Sequence, residues 1–221
     1  ALLLYYYRSS RFFFTFGWKW FWVLDLFSHF RVQYVAILLF SSIFLIFFQK
    51  YYSVIAGGMA LSYNLFLVVP CYLDTPKVTP SGPTYRILTA NVYSQNMQHE
   101  LFVGYIKSVK PDIVALFEIN QRWGQSLTAL HKIYPHRRVL PRAGNFGIAL
   151  YSKLPIVSVN TKVFGHAGVP SFIGKIKIKN ETLSIVCSHP LPPINKFYAK
   201  RRDEQLKGIG RLLGAMEGPR V

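Results

Sequence analysis

The sequence predicts an α/β domain carried behind an apolar helical hairpin, and three observations support that reading. Two uncharged apolar runs, 32–48 and 51–69, stand almost side by side. Beyond residue 84, short runs of Val, Ile, Leu, Phe and Thr have the length of buried strands, first alternating with helical stretches and then following one another. Three of these runs end on a polar residue of a different kind, an amide at Asn91, a carboxylate at Glu118 and an imidazole at His189.

The chain of 221 residues is 51% hydrophobic, high for a soluble domain, which suggests a membrane part joined to a globular one. Residues 32–48 (VQYVAILLFSSIFLIFF) lie at the short end of what crosses a hydrocarbon core of about 30 Å at about 1.5 Å per residue. Only Gln49 and Lys50 separate this run from the next, so 32–73 reads as a transmembrane helical hairpin closed by Pro70 and the polar stretch after it. Gly57, Gly58, Ala60 and Ser62 are small enough for close helix contact, and Asn64 is expected at that contact or at an interface. Residues 1–31 mix Trp18, Trp20 and Trp22 with Arg11, Lys19, Asp25 and Arg31, the composition of a segment lying at headgroup level. The four basic residues before the first span outnumber Lys50 in the hairpin, which places both ends in the cytoplasm by the positive-inside rule. Cys71 and Cys187 imply no disulfide framework.

Residues 74–84, beginning DTPKVTPSGP, form a Pro-rich linker. The domain at 85–221 then starts with a strand at 85–91, a helix at 98–109, a strand at 113–117 and a helix near 121–131. Strands follow at 145–152, 156–163, 171–179 and 182–188, the third of them alternating Ile and Lys as expected of one buried and one solvated face. A helix at 199–213 closes the pattern. The residues after Leu73 carry 21 Lys and Arg against 8 Asp and Glu, so the basic character belongs mainly to the domain. Two clusters stand out: Lys132, His136, Arg137, Arg138 and Arg142 around Tyr134, and Lys196, Lys200, Arg201, Arg202 and Lys207. Either could attract an anionic lipid surface or an anionic polymer.

RILTANV, KPDIVALFEIN, NFGIALYSKLPI, CSHP and the Arg202-x-x-Gln205 opening of the last helix resemble, in order and spacing, the endonuclease/exonuclease/phosphatase superfamily over about residues 85–213. The hairpin preceded by DLFSHFRVQY further resembles a bacterial, membrane-anchored branch. The resemblance implies a four-layer α/β sandwich of two mostly antiparallel sheets with the site at one edge between them. It also implies a metal-dependent phosphoester hydrolase of nuclease or phosphatase type, in the bacterial inner membrane, acting on nucleic acid, a lipid-linked phosphate or an inositol- or sphingolipid-type ester.

By the same resemblance Asn91 and Glu118 hold Mg²⁺, with Mn²⁺ as its alternative, His189 contacts the scissile phosphate, and Arg202 and Gln205 bind substrate. The chemistry agrees, because Mg²⁺ prefers hard oxygens and keeps several waters, so one carboxylate and one amide carbonyl leave room for a phosphate. Blander uses exist for each: a turn cap for Asn91, a solvated loop carboxylate for Glu118, a loop position for His189, a solvated helix face for Arg202 and Gln205, and strand packing or a turn for Gly147 and Ser152. Members of the superfamily continue with a strand carrying Gly-Asp-x-Asn and an Asp-His pair, and the sequence contains no Gly-Asp. Residues 74–221 number 148 where such a domain is expected to need roughly 220 to 250, so about a third of the fold is expected to be missing. The competing expectation is a truncated, catalytically inactive membrane protein that binds anionic surfaces.

Overall fold

The computed structural model describes residues 27–73 and 84–221, which form two compact units. Most of the headgroup-level segment and the linker fall outside the described residues.

The first unit is a helical hairpin of α1 (Arg31–Phe47) and α2 (Tyr51–Val68). The less exposed positions of α1 are Tyr34, Val35, Leu38, Ser42 and Leu45, and those of α2 include Val54, Gly57, Leu61, Asn64 and Val68. Both sets recur at three- and four-residue steps, so each helix turns one stripe inward. Gly57 permits the close approach: a Cβ there would lie 2.9 Å from Ser42 Oγ. Asn64 lies on this stripe and its Nδ2 donates to Ala60 O at 2.9 Å, within its own helix. α2 ends at Val68, and Pro70 opens a further helical turn, Pro70–Leu73. Helical turns continue to Leu73, because Pro lacks a donor only at its own position while Tyr72 and Leu73 both donate to Val69 O. Tyr51–Leu73, 23 residues, is long and apolar enough to cross a membrane, whereas Arg31–Phe47 is a shorter apolar helix.

The second unit contains two sheets. Sheet A has the order β1 (Ile87–Asn91), β2 (Ile113–Phe117), β4 (Ile148–Ser152), β3 (His136–Leu140), with β1 parallel to β2 and the other pairs antiparallel. Sheet B is the antiparallel set β5 (Ile156–Val163), β6 (Pro170–Ile178), β7 (Glu181–Ser188). Helices α3 (His99–Val109) and α4 (Gln121–Ser126), with a 3₁₀ turn at Leu127–Leu130, cover one face of sheet A, and the core there includes Ile106, Leu116, Trp123 and Tyr151. The other face of sheet A, with Ile113, Ala115, Ile148 and Leu150, packs on Phe172, Ile176, Ile185 and Cys187 of sheet B. Burial on both faces explains why β2 and β4 read as continuous apolar runs rather than alternating ones. On β6, Ile176 is buried while Lys175 and Lys177 face water, as the alternation predicts. Helix α5 (Lys196–Ala215) packs on sheet B through Gln205, and its Gly208 lies against Phe164, the residue that follows β5. The result is an α/β fold of helix, sheet, sheet and helix.

Two details differ from the sequence expectation. The stretch 136–140, which in the sequence stands out only as part of a basic cluster, is strand β3, pairing with β4 from His136↔Ser152 to Leu140↔Ile148. Tyr134, at the centre of that cluster, belongs to the core: it is fully buried and donates to Pro111 O at 2.9 Å. Residues Pro219–Val221 pair alongside β7, with Val186 N donating to Val221 O at 2.8 Å and Val221 N to Ser184 O at 2.9 Å.

Candidate active site

The register of the sheets assembles the site. Asn91 is the last residue of β1 and pairs with Phe117, the last residue of β2, so Glu118 follows immediately beside Asn91. His189 follows Ser188, the last residue of β7 in the facing sheet. All three predicted residues therefore stand at carboxyl ends of strands.

Glu118 is the hub. It adopts φ +65°, a left-handed conformation that costs a non-glycine residue energy and that redirects the chain as it leaves β2. Its side chain accepts from Asn91 Nδ2 at 2.7 Å on Oε1 and from Ser94 N at 3.2 Å on Oε2. His189 Nε2 lies 3.5 Å from the same Oε1. The residue is only 8% exposed, which makes its lone pairs depend on these partners.

The turn after Glu118 is fixed by backbone contacts. Ile119 N donates to Gly147 O at 3.0 Å and Arg142 N donates to Ile119 O at 3.0 Å. A Cβ on Gly147 would meet Ile119 O at 1.8 Å, so only glycine fits at this approach. That places Gly147 in packing, one of the two uses its sequence context left open.

Three polar residues with no role evident in the sequence, Ser94, Asn120 and Asn145, complete the framework. Asn120 caps α4 by accepting from Trp123 N at 3.0 Å and donates from Nδ2 to Ser94 O at 2.6 Å, while Ser94 Oγ donates to Asn145 Oδ1 at 2.6 Å. Asn120 and Asn145 lie within the quoted motifs, so position was their available signal; Ser94 had none. Phe117 and Phe146 each place a ring centroid 5.8 Å from the His189 imidazole and pack against it. Burial pushes the His189 imidazole below its ordinary value, and the neighbouring Glu118 carboxylate offsets this only in part. It is therefore neutral at pH 7, with one N–H to donate.

Arg202 and Gln205 sit differently from the other three. Gln205 is fully buried, not on a solvated face, and its Nε2 donates to Ser188 Oγ at 2.9 Å, which is itself 2.8 Å from Ser171 Oγ. It thus braces the end of β7 next to His189 and offers no accessible atom to a substrate. Arg202 bonds the adjacent Asp203 Oδ1 through Nε at 3.1 Å and Nη2 at 2.9 Å.

The donor set suits a hard divalent cation. Among the described residues no lysine or arginine pairs with Glu118, and the base nearest it is a neutral imidazole. A nearly buried carboxylate without a cationic partner is electrostatically incomplete. Asn91 turns Nδ2 toward Glu118 while its Oδ1 accepts from Tyr93 N at 2.9 Å; rotated about its last bond, it would offer the carbonyl oxygen instead. Among the described residues there is no cluster of three or more His, Cys, Asp or Glu that could hold a metal ion.

Comparison with known proteins agrees with this architecture. Among solved structures, D. rerio TDP2 complexed with a single-strand DNA product aligns at TM-score 0.54 and 15% identity, covering 62% of this chain and 57% of that one. Sphingomyelinase C from Streptomyces griseocarneus aligns at TM-score 0.52 and 18% identity, covering 63% and 62%. A β-hairpin deletion mutant of Staphylococcus aureus beta toxin aligns at TM-score 0.51 and 19% identity, covering 62% and 64%. The chain thus spans about three-fifths of the length of each, and the likeness concerns the fold. No curated protein sequence matches significantly. The model of the Endonuclease/Exonuclease/phosphatase family matches residues 88–220, from the first strand through the last helix and past Glu118 and His189, and the chain belongs to that family.

Proposed function

We propose that this chain is a membrane-anchored, Mg²⁺-dependent phosphoester hydrolase of the bacterial inner membrane. Family membership supports metal-dependent phosphoester hydrolysis in general; the membrane and Mg²⁺ assignments are our reading of the hairpin and the donor set. The observation that carries it is the convergence of Asn91 Nδ2 at 2.7 Å and His189 Nε2 at 3.5 Å on one oxygen of the nearly buried Glu118.

In this reading Glu118 and Asn91 hold the ion, with Mn²⁺ as a substitute. When bound, such an ion polarises a phosphoryl oxygen and offsets the charge that develops on it. His189, packed against Phe117 and Phe146, donates its N–H to the same phosphate. Gln205 acts as a positioning residue through Ser188, and Arg202, next in line on α5, is assigned to substrate phosphate. The names of the structural neighbours, one with a DNA product and one a sphingomyelinase, support nucleic acid and lipid phosphodiesters as substrate classes. Tyr51–Leu73 supports anchoring and, with it, a lipid-linked phosphate.

The test uses the chain in detergent, extended by the third of the domain that the resemblance implies, against a panel of single-stranded DNA, a lipid pyrophosphate, an inositol phosphate and sphingomyelin, with and without Mg²⁺. Mg²⁺-dependent release of product that falls at least a hundredfold in Glu118→Gln is expected, the order of loss from removing a charge-stabilising group. Equal activity in Glu118→Gln would refute the assignment; salt-sensitive binding without turnover would favour an anionic-surface binder instead.

A further inference from the structure

The segment leading from His189 into α5 leaves two large apolar side chains in solvent. Ile194 is 66% exposed and Phe197 is 57% exposed. Their exposure is built in. Leu191 is buried, Tyr198 packs on the small cluster of Ala167, Val169 and Leu191, and Ala199 is buried just beyond. Ile194 N donates to Pro192 O at 2.9 Å, and Asn195 caps α5 by accepting from Tyr198 N at 2.9 Å. The turn is therefore held from beneath while its apolar tips point outward.

Basic side chains surround those tips. Lys196 and Lys200 are exposed, and the Arg201 guanidinium lies 3.9 Å from the Phe197 ring centroid. Apolar residues that enter the acyl boundary, ringed by cations that meet acidic headgroups, are the two parts of an interfacial membrane contact. A nucleic acid would use the cations but not Ile194, which cannot stack on a base, and the Phe197 face is already taken by Arg201. In the sequence, ten residues, 74–83, separate the apolar hairpin from the domain. A bilayer that accepts the hairpin is thus offered to this turn at high effective concentration, so weak docking suffices.

We propose that Ile194 and Phe197, with Lys196, Lys200 and Arg201, form a docking element that inserts into an anionic phospholipid surface and brings the strand-end site to it. The proposal rests on the apolar hairpin entering a bilayer, as proposed above, together with exposure and charge, and not on hydrolysis.

The test reads position, not turnover. The full chain with Cys71→Ser and Ile194→Cys is spin-labelled at residue 194 and reconstituted in vesicles of phosphatidylcholine alone or with 30% phosphatidylglycerol. Cys187 is buried and stays unlabelled. Collision rates with oxygen and with a water-soluble nickel chelate then give the depth of the label. In anionic vesicles the label is expected below the phosphate level, while a label at Val157→Cys, a residue 61% exposed on sheet B, stays in water. Lys196→Gln should lower the docked-to-free ratio about fivefold, and Lys196→Gln with Lys200→Gln about twenty-five-fold. Four results would overturn the proposal: a label at 194 that stays aqueous on anionic vesicles, equal immersion in both vesicle types, protection by added single-stranded DNA rather than by lipid, or dipolar broadening that shows a second copy of the chain covering the turn.

Discussion

Replacing Gly147 by alanine should cost this domain a large share of its stability. An added Cβ would stand 1.8 Å from Ile119 O and 2.8 Å from both Ile119 C and Arg142 N, where contacts under 3.0 Å are essentially never seen. The backbone must therefore move by more than an ångström, in a region where Ile119 and Ile148 are fully buried. That movement breaks the Ile119 N to Gly147 O and Arg142 N to Ile119 O hydrogen bonds, each 3.0 Å. Two buried backbone bonds lost at about 1 to 3 kcal/mol each give about 2 to 6 kcal/mol, against a total of about 5 to 15 kcal/mol for a typical domain.

The assay is thermal unfolding of the full chain in detergent, followed by near-UV circular dichroism. At about 4 °C per kcal/mol the midpoint should fall by at least about 8 °C. Gly104→Ala is the counterpart: a Cβ there meets nothing within 4 Å on a helix face, so the midpoint should rise by about 2 to 4 °C. A second readout tests the connection to the site. Added Mg²⁺ should raise the midpoint of the native chain, as any ligand of the folded state does, and should fail to raise that of Gly147→Ala, because Ile119 positions Glu118. A Gly147→Ala protein that melts within 2 °C of the native one would refute the steric argument.

Other outcomes follow from the same framework. Asn120→Ala removes the cap of α4 and the bond to Ser94 O, and should cost about 1 to 2 kcal/mol in chemical denaturation while weakening Mg²⁺-induced stabilisation. Burial pushes the Cys187 thiol up to about 12 from 9.0. The unfolded chain therefore ionises first as pH rises, and the stability contributed by this thiol is complete below pH 9 and lost at about 1.4 kcal/mol per pH unit up to about pH 12. Comparing the pH dependence of unfolding in the native chain and in Cys187→Ala should show that slope disappear.

Much of the fold was legible because local chemistry and tertiary demand agree. The strand at 113–117 matches β2 residue for residue, since a strand buried on both faces must be continuously apolar. The last helix starts at Lys196 rather than 199 because Asn195 caps it, a signal that was present in the sequence. The expected helix at 121–131 breaks into Gln121–Ser126 and a 3₁₀ turn, with Leu127 and Leu130 pulled into the core. Strand β3 was not legible: HRRVL has little strand character, and it forms because the edge of β4 offers it backbone partners.

By itself the sequence determined which chemical groups end which strands: an amide at Asn91, a carboxylate at Glu118 and an imidazole at His189. Side-chain type and apolar period are local properties, and they need no knowledge of the fold. What only the tertiary structure decided is how those groups meet. Parallel pairing of β1 with β2 sets Asn91 beside Glu118, and packing of sheet B on sheet A brings His189 within 3.5 Å. The same packing buries Gln205 against Ser188 and leaves Ile194 and Phe197 in solvent. The apolar period of a strand fixes which of its faces is buried, but which strands meet is set by contacts between residues far apart in the chain.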